Sequence, residues 1–258
     1  MSKVSLEKDK IRILLLEGVH QSALETLKNN GYTNIEYLKT SLPEDELIEK
    51  IKDAHFVGLR SRTQITEKVV DAAKKLVAIG CFCIGTNQVD LAATQRRGIP
   101  VFNAPFSNTR SVAELVLGQI ILLLRQVPSK NAKAHRGEWE KTAAGSYEAR
   151  GKTLGIIGFG RIGTELAKRG TAFGMTVVAY KPFLENSDYA IMKPDMKDVL
   201  NISDYVSLHL PLNESTKGII NSETLKEFKE RSFLINTGRG QTIVEEDVVD
   251  ALKSGKLA

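Results

Sequence analysis

Short runs of β-branched and aliphatic residues alternate with longer amphipathic stretches through the first hundred residues. The runs predict strands at residues 11–16, 35–37, 56–59, 77–81 and 101–103. The stretches between them predict helices at residues 21–30, 43–51, 66–75 and 89–97. Strands that alternate with helices are typical of βαβ units around a parallel sheet. We therefore expect residues 1–107 to form a flavodoxin-like, doubly wound α/β domain.

A strongly apolar stretch follows this array. Residues 111–126 (SVAELVLGQIILLLRQ) predict a helix that opens with a capping box of Ser111 and Glu114 and is stopped by Pro128. A helix that is apolar on nearly every side must be buried, so we expect it to lie between domains or against another subunit. Residues 129–150 are polar and predict an irregular connecting arm.

The alternation then begins again. Strands are predicted at residues 153–157, 175–180, 204–208 and 233–235, and helices at residues 161–173, 195–201, 222–230 and 245–254. These four strands indicate a second doubly wound parallel sheet, so residues 108–258 are interpreted as a Rossmann domain, incomplete at its C-terminus. Another strand is expected where the sequence stops, which would leave the strand at residues 233–235 with an unpaired edge.

Composition and charge exclude several classes of protein. The 258 residues carry 36 Lys and Arg against 31 Asp and Glu, a formal charge of +5, and 42% of them are hydrophobic, as in globular chains. The basic residues are scattered among acids, so no nucleic-acid partner is expected. The start of the chain lacks the pattern of a signal peptide, and no apolar run has the length of a membrane span. We therefore expect a cytoplasmic protein without a membrane partner.

The cysteines and histidines predict neither a disulfide framework nor a metal site. Cys81 and Cys83 are the only cysteines, and we interpret both as small buried hydrophobic residues. The four histidines share no metal-ligand spacing, so no metal is expected.

The sharpest chemical signal is the glycine loop at residues 158–163 (GFGRIG), which follows one predicted strand and leads into a helix. In this context Gly158 permits the tight turn and Gly160 permits close approach of a pyrophosphate, while Gly163 permits close packing of helix and strand. The pattern predicts a dinucleotide site. The alternative is a strand–helix turn that needs glycines for its own geometry.

The position expected to bind the adenosine ribose does not carry the usual acid. An Asp or Glu about 20 residues after the glycine loop would accept a hydrogen bond from a ribose hydroxyl, but this chain has Lys181 there. Lysine cannot accept that bond and can pair with a 2′-phosphate. Three interpretations stay open: NADP is preferred, NAD is bound less well, or Lys181 is a solvated side chain.

Basic or glycine-containing loops follow several other strands at their carboxyl ends, where open α/β sheets bind ligands. In the second array Arg239 offers a planar fork suited to a carboxylate. In the first array the residues in such loops are Lys39, Arg60, Ser61, Arg62 and Gly85. Each basic residue alone is more commonly a solvated surface residue. Their coincidence at strand ends predicts a site for a small acid or a phosphate.

Longer strings resemble one protein family over nearly the whole chain. They are residues 58–63 (GLRSRT), 80–90 (GCFCIGTNQVD), 103–115 (NAPFSNTRSVAEL), 134–137 (AHRG), the glycine loop, 209–211 (HLP) and 236–240 (NTGRG). On these strings the chain resembles the D-isomer-specific 2-hydroxyacid dehydrogenases, and within that family the bacterial D-3-phosphoglycerate dehydrogenases. The resemblance implies a substrate domain at residues 1–107, an NAD-binding domain from residue 108 and a homodimer or higher oligomer. It also implies oxidation of a phosphorylated hydroxy acid, 3-phospho-D-glycerate, to 3-phosphooxypyruvate in serine synthesis.

The resemblance further implies roles for individual residues. Arg239 is the implied catalytic residue, which orients the substrate carboxylate and carbonyl. The implied substrate-binding residues are Lys39, Arg60, Ser61, Arg62, Ile84, Gly85, Asn108 and Lys141, the last across a dimer interface. The implied cofactor-binding residues are Gly158, Gly160, Arg161, Ile162, Gly163, Lys181, Leu210, Pro211, Thr237, Gly238 and Arg239.

The acid–base histidine and the supporting glutamate of this family come from beyond the equivalent of Ala258. We therefore expect a fragment of a full dehydrogenase or, as an alternative, the product of a disrupted gene, and we expect the 258 residues alone to be inactive. Two other functions stay open. A glyoxylate or hydroxypyruvate reductase would not need Arg60, Arg62 or Lys39. A non-catalytic NAD-binding module would use the helix at residues 111–126 for dimerisation.

Overall fold

The structure, a computed structural model, describes residues 6–258. The chain divides between Ser107 and Asn108 into two compact units, called unit one and unit two below. Each unit is built on a five-stranded sheet in which every strand pair is parallel.

Unit one alternates strands and helices as the hydrophobic pattern predicts. Its strands are β1 (Ile13–Leu15), β2 (Ile35–Tyr37), β3 (Phe56–Leu59), β4 (Ala78–Cys81) and β5 (Val101–Asn103). Its helices are α1 (Gln21–Asn29), α2 (Glu44–Ile51), α3 (Glu67–Ala72) and α4 (Leu91–Arg96). The strand order β2-β1-β3-β4-β5 is the flavodoxin-like order, so the predicted fold is confirmed for this unit.

The strands of unit one are short apolar runs because helices pack on both faces of a parallel sheet. One face forms a core with α2, α3 and α4 that includes Leu14, Leu47, Val57, Val69, Ile79 and Ala93. Polar side chains fix the starts of two of these helices. Thr66 Oγ1 accepts a hydrogen bond from Val69 N at 3.4 Å, and the Asp90 carboxylate accepts one from Ala93 N at 2.9 Å.

Unit two contains the second sheet. Its strands are β6 (Thr153–Ile157), β7 (Thr176–Tyr180), β8 (Ile191–Met192), β9 (Tyr205–Leu208) and β10 (Phe233–Asn236), in the order β10-β9-β6-β7-β8. Its helices are α5 (Thr109–Leu124), α6 (Val127–His135), α7 (Arg161–Ala172), α8 (Met196–Leu200), α9 (Ser222–Lys226) and α10 (Glu245–Lys253). The predicted doubly wound sheet is confirmed, but the prediction of four strands was wrong. β8 was missed because it has only two residues.

Helices cover both faces of the second sheet as well. Residues of α5 and α7, among them Val116, Ile120 and Leu166, form a core with Leu154 and Ile156 of β6. The opposite face forms a second core with α8, α9 and α10. At the edge, Ser232 pairs in parallel with Leu257, and β10 has β9 as its only partner strand among the described residues.

The start of α5 differs from the prediction. The helix begins at Thr109 with Asn108 as the N-cap residue, and the Asn108 side chain makes no capping bond. Ser111 Oγ instead donates to the Asn108 carbonyl at 3.0 Å, and Glu114 forms an ion pair with Arg110 at 2.5 Å. The predicted capping box was therefore wrong, because the helix starts at Thr109, two residues before the predicted start, and Asn108 takes the N-cap position.

The role of Pro128 also differs from the prediction. α5 ends at Leu124, Gln126 takes a left-handed conformation with φ of 54°, and α6 then begins at Val127 with the proline in its first turn. Proline suits that turn because its missing N–H would have had no helical partner. Pro128 therefore lies at the start of a new helix, and the predicted arm is irregular only after His135.

No single helix among residues 6–258 has the length and hydropathy of a membrane span. α5 and α6 together have that length and hydropathy, but the pair is bent by 66°.

Candidate functional site

In unit two the strand order reverses around β6, which lies between β9 and β7. Gly158, directly after β6, has φ of +94°, and a Cβ atom there would lie 2.5 Å from the His209 carbonyl oxygen. The positive φ requires glycine because L residues rarely adopt it. The close carbonyl oxygen also requires glycine, because a main-chain atom cannot move aside for a side chain. The loops after β6 and β9 thus touch at the reversal point, where open α/β sheets bind ligands.

The other two glycines of this loop differ in their surroundings. A Cβ atom at Gly163 would lie 2.8 Å from the Gly158 carbonyl oxygen, so the small residue lets α7 pack closely on the loop. A Cβ atom at Gly160 would meet nothing within 4 Å. Protein packing therefore does not explain glycine at position 160. The open space lies at Gly160, the residue before α7. The N-terminus of α7, with Arg161 and Ile162, favours an anion.

Two lysines lie at the adjacent edge of the same sheet. The Tyr180 carbonyl accepts a hydrogen bond from Gly158 N at 3.0 Å, which places Lys181 next to the glycine loop. Lys193 follows β8, and its N–H donates to the Ala179 carbonyl at 2.8 Å. Lys181 is exposed, and no carboxylate of the described residues pairs with either lysine. Sequence reasoning found Lys181 but missed Lys193, because β8 was not predicted.

The segment after β9 packs against the glycine loop and carries a neutral histidine. Burial lowers the pKa of His209 to about 4, and a hydrogen bond of 2.9 Å joins its Nε2 to Ser207 Oγ. The following residues are Leu210 and Pro211, and the Pro211 carbonyl accepts a hydrogen bond from Thr216 Oγ1 at 2.6 Å. His209 therefore contributes main chain and shape rather than charge.

The loop after β10 holds the predicted catalytic arginine. Asn236 Oδ1 accepts from Gly238 N at 3.0 Å, and the Arg239 carbonyl accepts from Thr242 Oγ1 at 2.7 Å. A Cβ atom at Gly238 would lie 3.6 Å from the Leu210 carbonyl oxygen, so this loop adjoins the one after β9. These bonds fix the main chain while the Arg239 side chain stays exposed.

The remaining predicted residues of unit two lie off the strand ends. Asn108 is at the start of α5, and its Oδ1 is buried without a hydrogen-bond partner in the described chain. Lys141 is exposed in the arm after α6, between Glu140 and Thr142. Those neighbours are tied to α6 by Lys133 and Lys130. No described contact joins Lys141 to the strand-end loops of unit two.

The residues at this edge fit a dinucleotide. Gly160 leaves open space at a helix start, and Thr237 Oγ1 is a second buried oxygen without a hydrogen-bond partner among residues 6–258. A bound ligand could satisfy such a buried polar atom, which is otherwise unfavourable. The arrangement therefore suits a pyrophosphate at the glycine loop and polar ligand groups beside Thr237.

Unit one has its own reversal point, at β1, and a buried glutamate occupies it. Glu17 lies two residues after the end of β1. Its Oε1 accepts from Thr63 N at 2.8 Å and its Oε2 accepts from Arg62 N at 3.0 Å. Burial alone would raise the pKa of Glu17, but the hydrogen bonds from Thr63, Arg62 and Arg60 outweigh it and hold the pKa below its usual value. The carboxylate is therefore charged and fastens the loop after β3.

A buried carboxamide connects the next two loops. Gln88 Nε2 donates to the Arg60 carbonyl at 2.6 Å and to the Gly85 carbonyl at 3.2 Å. Asn103 Nδ2 donates to the Ile84 carbonyl at 2.7 Å, which joins the segment after β4 to the end of β5. The carboxyl-end loops of β1, β3, β4 and β5 thus form one hydrogen-bonded assembly.

The predicted cationic residues of unit one lie on this assembly or next to it. Arg60, Ser61 and Arg62 form the exposed loop after β3, and Lys39 is exposed after β2. The Glu17 N–H donates to the Thr40 carbonyl at 3.1 Å, so the segment that carries Lys39 adjoins Glu17. The structure thus brings the predicted bases of unit one to the same edge of its sheet.

Sequence reasoning missed Glu17 and Gln88 as parts of this site. The available signal was an acid directly after a four-residue apolar run, residues 13–16 (ILLL), a place where a carboxylate needs partners. The two cysteines behave differently. Burial raises the pKa of Cys81 to about 11, as the prediction of a buried hydrophobic residue requires. Cys83 packs against the core but is only half-buried and donates to the Gly85 carbonyl at 3.2 Å, so the prediction is correct only in part for Cys83.

Comparisons with known proteins identify the family to which the chain belongs. The NAD-binding domain of the D-isomer-specific 2-hydroxyacid dehydrogenases matches residues 117–258. The chain is 59% identical over 261 residues to a D-3-phosphoglycerate dehydrogenase of Escherichia coli strain K12, covering 100% of this chain and 63% of that protein. It is 54% identical over 259 residues to the enzyme of the same name in Haemophilus influenzae, covering 99% of this chain and 63% of that protein. The chain thus spans under two thirds of the length of these relatives.

Solved structures share the fold. The TT0316 protein of Thermus thermophilus matches with a TM-score of 0.88 and 33% identity, covering 96% of this chain and 79% of that one. A D-lactate dehydrogenase of Aquifex aeolicus, complexed with NAD and lactic acid, matches with a TM-score of 0.82 and 25% identity, covering 95% of this chain and 74% of that one. The predicted fold class and family resemblance are confirmed, and so is NAD as the cofactor of the matched domain.

Proposed function

Since the chain belongs to the D-isomer-specific 2-hydroxyacid dehydrogenase family, we propose that its binding loops serve the NAD-dependent oxidation of 3-phospho-D-glycerate to 3-phosphooxypyruvate, for serine synthesis. The support from relatives is the 59% identity to proteins named D-3-phosphoglycerate dehydrogenase. The observation that carries the proposal is the loop after β3, where Arg60 and Arg62 flank Ser61 and buried Glu17 and Gln88 hold the main chain.

The loop chemistry favours a substrate with a phosphate. A phosphate carries more charge than a carboxylate and offers several acceptor oxygens, which two guanidinium groups and an ammonium group can satisfy. Arg60, Arg62 and Lys39 are all exposed, and no described carboxylate forms an ion pair with any of them. In the proposal these three residues bind the phosphate, while Ser61, Ile84 and Gly85 shape the remainder of the substrate site.

The residues proposed to hold NAD lie on four loops of unit two. The glycine loop from Gly158 to Gly163 takes the pyrophosphate, Lys181 lies at the adenosine ribose, and Leu210, Pro211, Thr237 and Gly238 line the remaining length. When bound, NAD supplies the oxidant for the alcohol carbon of the substrate.

Arg239 is proposed to orient the reacting end of the substrate. Its planar guanidinium can bind a carboxylate through two parallel hydrogen bonds, and it also favours the build-up of negative charge on the neighbouring carbonyl oxygen. The main chain at Arg239 is fixed by Asn236 and Thr242, so the guanidinium starts from a defined position. Asn108 and Lys141 are proposed to add contacts to the acid.

The acid–base step needs a histidine supported by a carboxylate. The histidines of this chain have other roles: His20 caps α1, His55 Nδ1 accepts from Arg12 N at 3.0 Å, His209 bonds Ser207, and His135 is exposed in α6. None of them is joined to a carboxylate by a described hydrogen bond. We therefore expect a polypeptide restricted to residues 1–258 to bind NAD without turnover.

The test compares two ligands that differ by one phosphate. Binding of 3-phospho-D-glycerate and of D-glycerate is measured by calorimetry on NADH-saturated protein, with wild type, Arg62→Gln, Arg239→Gln and the control Arg125→Gln, which is exposed beside α5. We expect the phosphorylated acid to bind more tightly. Arg62→Gln should remove most of that preference, and Arg239→Gln should weaken both acids about 10- to 100-fold.

The two other functions predict different results. Equal affinity for both acids, unaffected by Arg62→Gln, would favour a glyoxylate or hydroxypyruvate reductase. Binding of NADH with no binding of either acid would favour a non-catalytic module.

The proposal extends to assembly and location. We propose a homodimer formed through the outward face of α5 and a cytoplasmic location. Leu115 and Leu122 are exposed on α5, and Gly118 lies between them. An exposed apolar face of this kind suits packing against another surface.

A further inference from the structure

The anion site of unit one contains a buried negative charge that its proposed ligand chemistry does not require. Glu17 is 9% exposed and lies between the β1 segment, the loop after β3 and the segment after β2. Coulomb's law predicts that a carboxylate beside Arg60 and Arg62 weakens the binding of a second anion there. The position of Glu17 therefore calls for a role other than charge.

The hydrogen bonds of Glu17 indicate such a role. Each carboxylate oxygen accepts one main-chain N–H, from Thr63 at 2.8 Å and from Arg62 at 3.0 Å. A neutral carboxamide has only one oxygen, so a glutamine would turn an NH2 group toward one of those N–H donors. The two bonds also keep the pKa of Glu17 low, so the acceptor pair stays complete at neutral pH.

Gln88 supports the same loop from the opposite side. It is 2% exposed, and its Nε2 donates to carbonyls on both the Arg60 and the Gly85 segments. Its main-chain carbonyl accepts from Ile65 N at 2.8 Å, which connects it to the chain beyond the loop. Glu17 thus holds the N–H groups at the end of the loop, while Gln88 holds the carbonyl at its start.

We propose that Glu17 and Gln88 are positioning residues that hold Arg60, Ser61 and Arg62 in the conformation that binds the phosphate before any ligand arrives. This inference rests on the proposed function. Neither side chain touches the ligand in this proposal. They act by restricting the loop before the ligand binds. Less conformational entropy is then lost on binding than if the loop and its long side chains were free.

The test uses a variant for which charge and positioning predict opposite results. Glu17→Gln removes a negative charge next to an anion site, so a pure charge effect would tighten binding of 3-phospho-D-glycerate. Positioning predicts binding about 10- to 100-fold weaker, because one buried N–H loses its acceptor and the loop shifts. Glu25→Gln, on the exposed face of α1, removes the same charge from unit one without touching the loop and should leave binding unchanged.

A second variant keeps the net charge. Gln88→Met has a similar volume and removes both donors, and we expect the same direction of change; Gln95→Met, exposed on α4, is its control. The readouts on the full chain are the affinity ratio of 3-phospho-D-glycerate to D-glycerate and the affinity for NADH. A positioning role lowers the ratio and leaves NADH binding intact, whereas general misfolding would weaken NADH binding too.

The outcomes separate this inference from the function on which it rests. Unchanged or tighter binding of the phosphorylated acid by Glu17→Gln, with wild-type affinity in Gln88→Met, would overturn the inference and leave the proposed function in place. No preference for the phosphorylated acid in the wild type would overturn both. A lowered ratio in either folded variant, with unaltered NADH affinity, supports the inference.

Discussion

The main-chain carbonyl oxygen of His209 lies 2.5 Å from the point where a Cβ atom would stand on Gly158. The glycine loop and the segment after β9 thus pack main chain against main chain, with no room for a side chain at Gly158. A few residues away, Gly160 has no neighbour within 4 Å of its own Cβ position. Of these two glycines, the fold therefore requires Gly158 but not Gly160.

The first prediction contrasts these two glycines. Gly158→Ala should lower the free energy of unfolding by about 2–3 kcal/mol, because the residue keeps a left-handed φ and its Cβ clashes with main chain. Gly160→Ala should change it by no more than about 1 kcal/mol. It should nevertheless weaken NADH binding at least about tenfold if a pyrophosphate uses the open space. Urea unfolding and fluorescence titration measure the two quantities. Wild-type NADH affinity in Gly160→Ala would contradict the binding of a pyrophosphate at this loop.

The second prediction concerns the choice between NAD and NADP. Lys181→Asp places an acceptor where ribose hydroxyls are expected and removes a cation suited to a 2′-phosphate. We expect NADH to bind about tenfold more tightly and NADPH at least about tenfold more weakly than in the wild type. Lys193 remains beside the site, so some NADPH affinity should persist.

The control for this substitution is Lys253→Asp, exposed on α10, and fluorescence titration with both nucleotides is the measurement. If Lys181→Asp leaves both affinities at their wild-type values, Lys181 is a solvated side chain and the usual acid has simply been lost.

The third prediction tests the proposed dimer. Leu115 is 56% exposed and Leu122 is 41% exposed on α5, whose opposite face packs in the core through Val116 and Ile120. Leu115→Lys should weaken self-association by about 2–3 kcal/mol per copy, because a charge would be buried without a partner. Sedimentation velocity at matched concentrations measures it. Leu252→Lys on α10, where the leucine is 50% exposed, should not change the assembly. An identical sedimentation profile for all three chains would place the interface elsewhere.

The fourth prediction is a pH dependence. The pKa of His209 is about 4 in the folded chain because of burial, against about 6.5 when unfolded. As pH falls, the unfolded state takes up the proton first. The contribution of His209 to stability is therefore present above about pH 6.5 and is lost as pH falls toward 4.

His209→Gln keeps a hydrogen-bonding side chain near Ser207 and removes the titration. Between about pH 7 and 4, the free energy of unfolding should fall in both proteins. The fall should be about 3 kcal/mol larger in the wild type than in His209→Gln. Urea unfolding across this range is the measurement, and His135→Gln, exposed in α6, should follow the wild-type curve. Parallel curves for His209→Gln and wild type would mean that the buried imidazole is not the group responsible.

Much of the fold could be predicted because local signals and tertiary packing agree. The β6 strand, the glycine loop and α7 each have an unmistakable pattern, and their order alone implies a parallel sheet. β8 could not be predicted, since two residues contain no periodicity and pair only because β7 offers an open edge. Pro128 was misread because proline both ends helices and begins them, and only the turn at Gln126 decides between these roles.

The residues of the candidate site that belong to a short sequence motif could be predicted. Those that depend on contacts between distant parts of the chain could not. Arg60 and Arg62 could be found from their place after a strand. The support from Glu17 depends on a separation of 45 and 46 residues along the chain, which no local pattern reveals. Lys193 depends on a strand that was itself unpredicted. The supporting residues were therefore the ones that the sequence alone concealed.

The reversal of strand order near the first strand of each sheet has a consequence for how the two units respond to ligands. In unit one the chain supplies its own counter-ion: the Glu17 carboxylate already occupies main-chain N–H donors at the fork between β1 and β3. In unit two a Cβ atom at Gly160, in the loop after β6, would meet nothing within 4 Å. The loop after β3 in unit one is thus held by the chain's own carboxylate, whereas the open space at Gly160 in unit two is left for a ligand, so nucleotide should raise the melting temperature through unit two.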